Sequence, residues 1–266
     1  MTEPIRATLY TDPGCPWAYS ALPALRVLDW RYGDQLAWRL VVIGLAESAS
    51  VYRERGYTPA RLLGGHAEFR DRFGMPFATH LKERVPGTAR ACRAIVAARL
   101  LHPGSEWEAL RALQLANFTS PLLLDDDDQL REVLADVSGI DADAVVARLD
   151  DADVSAAYER DRAEARTAAG SPAQLQGKTA NHDGPERFTA PSVVLEGGGM
   201  RLVGGGWQTI EAYDVLVANL DPRLRREPPP GDAAQALRRY PEGLVTQEVA
   251  ALMTQGNDAP DRRAAE

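Results

Sequence analysis

Thr11-Asp12-Pro13-Gly14-Cys15-Pro16-Trp17-Ala18-Tyr19 is the stretch that decides the fold. Just upstream, Ile5-Arg6-Ala7-Thr8-Leu9-Tyr10-Thr11 alternates and is rich in β-formers, which predicts a strand ending before the cysteine. Downstream, Leu22, Leu25, Val27 and Leu28 mark the apolar face of a helix over 16–32, kinked at Pro23 and ended by Gly33. Cys15 therefore falls at a helix N-terminus, where unpaired N–H groups and the macrodipole favour a thiolate. Pro16 suits the first turn, because its missing N–H costs nothing there and its fixed φ is already helical. This is the placement of a redox cysteine. The position three residues on, where a C-x-x-C pair carries its resolving thiol, holds Ala18.

Working outward, residues 37–44 (Ala-Trp-Arg-Leu-Val-Val-Ile-Gly) predict a second strand, with the continuous apolar end of a buried parallel strand. Strand, helix and strand within the first 45 residues make a βαβ start. From about 60 to 169 the chain reads as helices broken at Gly- and Pro-rich points. Helices are expected over 88–101, 106–118, 129–137, 141–149 and 154–169, the last polar enough to lie largely exposed. Residues 170–187 form a polar loop without periodicity. Strands return at 192–195 and 200–203, joined by Glu196-Gly197-Gly198-Gly199, a hairpin signal. An amphipathic helix over 207–220 precedes a linker holding Pro228-Pro229-Pro230. Short helices over 232–240 and 246–253 follow, and 255–266 should be disordered.

The 266 residues suffice for a substantial core, in one elaborated domain or two intimate ones. A net charge of −8 argues against nucleic-acid or anionic-membrane partners. With only Lys82 and Lys178 as lysines, arginine carries nearly all the positive charge. Two cysteines, Cys15 and Cys92, are too few for a disulfide scaffold of this size. Met1-Thr2-Glu3-Pro4 does not open a basic, then apolar, leader, and no apolar run reaches the ~20 residues of a membrane-spanning helix. A reducing cytoplasm is the expected compartment.

The order of these elements resembles a thioredoxin core with a helical domain inserted between its halves. Asp12-Pro13-Gly14-Cys15-Pro16-Trp17 resembles the Cys-Pro-Trp-Cys active site of DsbA-like oxidoreductases, particularly the cytoplasmic FrnE-like branch. Phe188-Thr189-Ala190-Pro191-Ser192-Val193 resembles the cis-proline segment that faces that cysteine, and Gly204-Gly205-Gly206-Trp207 the closing strand-to-helix turn. The likeness spans about residues 4–220. It implies an α/β thioredoxin-like fold in which 4–45 and 185–220 make the split thioredoxin-like domain. Residues 46–184 are then the inserted helical domain with its polar loop; 221–266, outside the likeness, reads as a Pro-rich linker, short helices and a disordered tail.

The same resemblance implies thiol–disulfide exchange, with Cys15 as the nucleophile on protein or small-molecule thiols and disulfides. Pro191 and Ala190 would dock the substrate, while Pro16, Trp17 and Thr88 line the cleft. Because Ala18 removes the resolving thiol, a monothiol route is expected, in which an external low-molecular-weight thiol releases the mixed disulfide. No tightly bound cofactor or metal is called for. A thiol-dependent transferase or isomerase of the glutathione-transferase kappa or hydroxychromene-carboxylate isomerase type is the alternative, although those branches normally carry serine at the Cys15 position. A non-catalytic adaptor is the third reading.

Each residue also has a plainer explanation. Cys15 could be a small buried hydrophobe, Trp17 a core aromatic, and Pro191 an ordinary strand-edge proline. Cys92 is most simply a buried helix residue, unless its helix brings it to Cys15 as a substitute resolving thiol. His182 could serve as a base near the cis-proline segment, but a solvated loop histidine is the simpler reading for it and for His66, His80 and His102. The run Asp125 to Asp128 precedes a helix, so N-cap and dipole compensation explain it better than a metal.

Overall fold

A computed structural model describes residues 3–266; Met1 and Thr2, which open the stretch read for a leader, lie outside it. Four strands form the central sheet: β1 (Ile5–Thr11), β2 (Leu36–Val42), β5 (Ser192–Gly197) and β6 (Met200–Gly204), in the order β2-β1-β5-β6. β1 runs parallel to β2, with Ile5 opposite Leu36 and Thr11 opposite Val42, and antiparallel to β5. The parallel pair demands a crossover, supplied by α1 (Pro16–Ser20) and α2 (Leu22–Tyr32). β5 and β6 are joined through Gly198 and Gly199, both at positive φ, as a tight two-residue hairpin requires. Two-residue strands β3 (Thr179–Ala180) and β4 (Arg187–Phe188) pair separately.

The expected single kinked helix is two helices. Pro23 sits in the first turn of α2, where its ring is tolerated, and the break falls at Ala21. Between β2 and β3 come α3 (Ala49–Glu54), α4 (Pro59–Phe73), α5 (Ala89–Leu101), α6 (Glu106–Thr119), α7 (Asp127–Ala135), α8 (Ala142–Ala147), α9 (Ala152–Ala165) and the short α10 (Pro172–Leu175). One apolar cluster runs from Ala7, Leu9, Val42 and Leu195 of the sheet through Ala94, Ile95 and Ala98 of α5 to Leu113, Leu134 and Val145 of the helical block. The run of alanines on α5 lets that helix approach closely on several sides.

The expectation that the last helix of the block is exposed does not hold. α9 buries Val154, Ala157, Tyr158, Asp161 and Ala165. Asp161 accepts from Val42 N–H (3.1 Å) and from Arg99 (3.0 Å), which satisfies a backbone donor of edge strand β2 and pins α9 beside it. The 170–187 loop likewise holds more order than its composition suggests, namely α10 and the β3–β4 pair. The helix expected from 207 starts three residues later as α11 (Ile210–Leu220), capped by Thr209 and packed on β5, β6 and α2. After the proline linker come α12 (Ala233–Arg239) and α13 (Thr246–Met253), the latter against α2. The tail expected to be disordered contains one exposed helical turn, α14 (Arg262–Ala265). Among the described residues no helix is long and apolar enough to cross a membrane.

Candidate active site

β1 ends by delivering Asp12 into the interior, fully shielded from solvent. Its Oδ1 accepts from Gly14 N–H (2.8 Å), turning the chain toward Cys15. Its Oδ2 accepts from Leu45 N–H (2.8 Å), the Thr88 hydroxyl (3.1 Å) and the Cys92 thiol (3.5 Å). One carboxylate thus ties together the ends of β1 and β2 and the start of α5. Burial raises its pKa, and these hydrogen bonds oppose the rise. Sequence reading passed over Asp12. The Asp-Pro-Gly turn was visible, but three of its four partners come from distant segments.

Cys15 is the N-cap of α1, with Pro16 in the first turn as expected. Its Sγ lies 3.1 Å from the carbonyl oxygen of Ala190, to which the thiol donates. The Ala190–Pro191 bond is cis, as the resemblance implied. The resting thiol differs from the expectation of a favoured thiolate: burial pushes Cys15 up to about 12, and the charge of Asp12 adds to this. The N–H groups of Ala18 and Trp17, and more remotely Arg187, pull the other way. The reason is physical. α1 is a single five-residue turn with little macrodipole, and a cysteine only 6% exposed has lost nearly all the water its sulfur would have.

Beside Cys15 opens a cleft of about 440 Å³, lined at this end by Pro13, Gly14, Pro16 and Trp17. Trp17 is 40% exposed and stands edge-on to Phe69 of α4 (4.8 Å between ring centroids), so it faces the cleft rather than the core. Thr88 also lines the cleft, but its hydroxyl is committed to Asp12 and to Ala46 N–H (3.1 Å), making it a positioning residue. Tyr52 of α3 and Tyr57 enter the wall edge-to-face (5.4 Å) from a segment that sequence reading left without a role. Burial, with Asp12 and Cys15 nearby, holds the Tyr52 hydroxyl well above its ordinary pKa. Lys82 reaches in half-buried; its Nζ donates to Leu122 O, and desolvation lowers it to about 8.

Cys92 is fully buried in α5 and its sulfur points to Asp12, whereas that of Cys15 points to Ala190; both are free thiols. Burial, then Asp12, raises the Cys92 thiol well above its usual range. His182 is exposed and lies 3.4 Å from Arg187. His80 is exposed too, and the ring of His102 accepts from Asp141 N–H (3.3 Å). His66 departs from the loop reading: it sits on α4 against Phe77 and Phe118, and burial lowers it to about 4. In the acidic run, Asp126 caps α7, Asp125 holds Arg84 (2.6 Å) and Gly87 N–H, and Asp127 pairs with Arg90 (2.5 Å).

The family model described as DSBA-like thioredoxin domain matches residues 7–184, about two thirds of the chain. The chain belongs to the DSBA-like thioredoxin family. The match takes in β1, the Cys15 turn and the helical block, and ends just before the cis-proline segment that completes this DSBA-like site. No curated protein matches the chain. Among solved structures, a putative protein disulfide isomerase from Nitrosomonas europaea gives a TM-score of 0.62 at 18% identity, covering 82% of this chain and 97% of that one. The cytosolic disulfide reductase DsbM from Pseudomonas aeruginosa gives 0.56 at 19%, covering 82% and 98%. A probable DsbA oxidoreductase from Streptomyces coelicolor gives 0.61 at 19%, covering 82% and 91%. At these identities the likeness is one of fold, and the fold is that of a DSBA-like protein: α/β, thioredoxin-like, with a helical insertion.

Proposed function

We propose that this DSBA-like protein exchanges thiols and disulfides through Cys15 alone, in the manner of the cytoplasmic FrnE-like branch. The observation that carries the reading is the 3.1 Å contact between Cys15 Sγ and Ala190 O, made by the N-cap residue of α1 with a cleft beside it. At rest the proton is held between sulfur and carbonyl. A substrate N–H docking on Ala190 O takes that acceptor away and leaves the sulfur at the α1 N-terminus, where the Ala18 and Trp17 N–H groups pull the thiol pKa down and favour the thiolate.

The thiolate then attacks one sulfur of a disulfide RS–SR′. The S–S bond breaks, R′S⁻ leaves and takes up a proton, and Cys15 is joined to R in a mixed disulfide. With Ala18 in place of a second thiol, an external thiol R″SH must complete the cycle. Its thiolate attacks the R sulfur, giving R–S–S–R″, and Cys15 recovers a proton. Glutathione is a reasonable external thiol, since DsbM has been solved with GSH. A cytoplasmic setting, where such thiols are abundant and reduced, suits two unpaired cysteines.

A cleft of about 440 Å³ with an aromatic wall has the size of a small-molecule site, and this favours a thiol-dependent transferase or isomerase as the second reading. The test compares wild type, Cys15→Ser and Cys92→Ser for turnover of a glutathione mixed disulfide, with mass analysis of the protein. Activity and a glutathione adduct on Cys15 that vanish in Cys15→Ser and persist in Cys92→Ser are expected. Turnover that survives Cys15→Ser would overturn the reading, and an inert wild type would favour an adaptor.

A further inference from the structure

The cleft beside Cys15 is basic, although the protein carries a net charge of −8. Arg55, Arg61, Lys82, Arg84 and Arg187 contribute to its wall, together with three histidines and, among the described residues, not one Asp or Glu. Two of these cations are already paired: Arg84 with Asp125 (2.6 Å) and Arg187 with Asp183 (2.9 Å). The other three have no carboxylate within ion-pair distance among the described residues. Arg61 lies over the Tyr57 ring (4.9 Å) and donates to Gly56 O, while Lys82 is half-buried with the Leu122 carbonyl as its protein partner. An ammonium drawn out of water with one neutral acceptor is under-compensated, and an anion brought by a ligand is the natural complement. The rings of Trp17, Tyr52, Tyr57 and Phe69 on the same wall suit an apolar body.

We propose that the cleft selects small thiols or disulfides that carry carboxylates, with Arg55, Arg61 and Lys82 binding the anionic groups. The proposal rests on the thiol-exchange reading for the sulfur of the ligand, while the anion preference belongs to the insert residues and is measured without any reaction at Cys15. Placing anion recognition on 55–82, away from the Cys15 loop, separates selection from chemistry. The sulfur is guided to Cys15 by charges that do not themselves touch it.

The test is titration calorimetry of full-length Cys15→Ser protein with two probes of one skeleton. Dithiodibenzoate carries two carboxylates, and the corresponding dibenzamide disulfide carries none. The dianion should bind about tenfold or more tightly than the amide, as expected for charge-assisted hydrogen bonds, with the difference shrinking at high salt. Arg61→Gln and Lys82→Gln should each weaken the dianion several-fold and leave the amide unchanged. Arg55→Gln, at an exposed position where folding is not at stake, should act in the same direction. Equal affinities, no binding of either probe, or a dianion preference that survives the Arg61 and Lys82 substitutions would overturn the proposal. Failure of the thiol-exchange reading shows up elsewhere, as a wild-type Cys15 that forms no mixed disulfide with either probe.

Discussion

Gly14 has no room for a side chain. A Cβ there would lie 2.5 Å from Thr88 Cγ2 and 3.3 Å from Asp12 Oδ1. Gly14→Ala should therefore cost about 1–3 kcal/mol in denaturant unfolding, as overpacking does, and move Cys15 relative to Ala190. Thr88→Ser removes the clashing methyl but keeps the hydroxyl for Asp12, so it should restore most of the loss; a double variant no better than Gly14→Ala would refute the account. Asp12→Asn has two expected effects. It leaves at least one of the N–H, O–H or S–H donors around the carboxylate facing an amide N–H, at a cost of about 1–3 kcal/mol. It also removes the charge that adds to burial in lifting the Cys15 pKa, so alkylation of Cys15 should set in at somewhat lower pH than in wild type. Ala18→Cys should let the introduced thiol close a disulfide with Cys15 under oxidant, seen as loss of titratable thiol, and lessen the need for an external thiol. Cys15 and Pro16 were legible because their signals are local, a strand before and a helix after, whereas Pro191 stood out only through the family resemblance. The elevated thiol pKa was not, since burial of the sulfur depends on the whole surrounding fold.

α4 offers a pH test of the cleft wall. His66 is held near the rings of Phe77 and Phe118 (5.2 and 5.3 Å), and burial, reinforced by Lys82, lowers its pKa from 6.5 to about 4. A depressed histidine pKa means that the unfolded chain binds the proton first. The stabilisation is full above about pH 6.5 and is lost as pH falls toward 4. Urea midpoints of wild type should fall through that window more steeply than those of His66→Phe, and parallel curves would contradict the assignment. The helices were readable where apolar period and breakers agree, as in α5 and α6. They were misread where tertiary contacts decide. α1 and α2 part at Ala21 rather than bending at Pro23, and α9 looks polar yet spends Asp161 on Val42 N–H and Arg99. The Tyr52–Tyr57 segment that walls the cleft has no period at all, because its residues serve a cavity and not a packed face.

Residues 221–253 brace the whole molecule from outside the matched DSBA-like region. Trp30 of α2 donates to Pro228 O (2.7 Å), Tyr240 to Asp29 (2.7 Å) and Arg239 to Trp30 O (3.1 Å), while Arg26 pairs with Glu242 (2.8 Å). The strongest tie is from α13 to α6: Glu248, with no exposure, takes both arms of Arg111 at 2.6 and 2.7 Å, and its Oε2 also accepts from Val245 N–H. The helix 246–253 was legible from its own sequence; its docking was not, because the two partners stand 137 positions apart. A bidentate pair this deep costs much of its attraction in desolvation, so its removal is asymmetric. Glu248→Ala strands a buried guanidinium and should destabilise the protein by about 3–5 kcal/mol in denaturant unfolding. Arg111→Met combined with Glu248→Leu replaces the pair with apolar volume and should recover part of that loss, since Arg26 (3.6 Å) and Val245 N–H also lose Glu248. If Glu248→Ala instead leaves the midpoint unchanged, the extension is not held by this pair. If it melts separately from the rest, the extension is an appendage. A single cooperative transition shifted downward is the expected outcome, because α2 lies between the extension and the turn that carries Cys15.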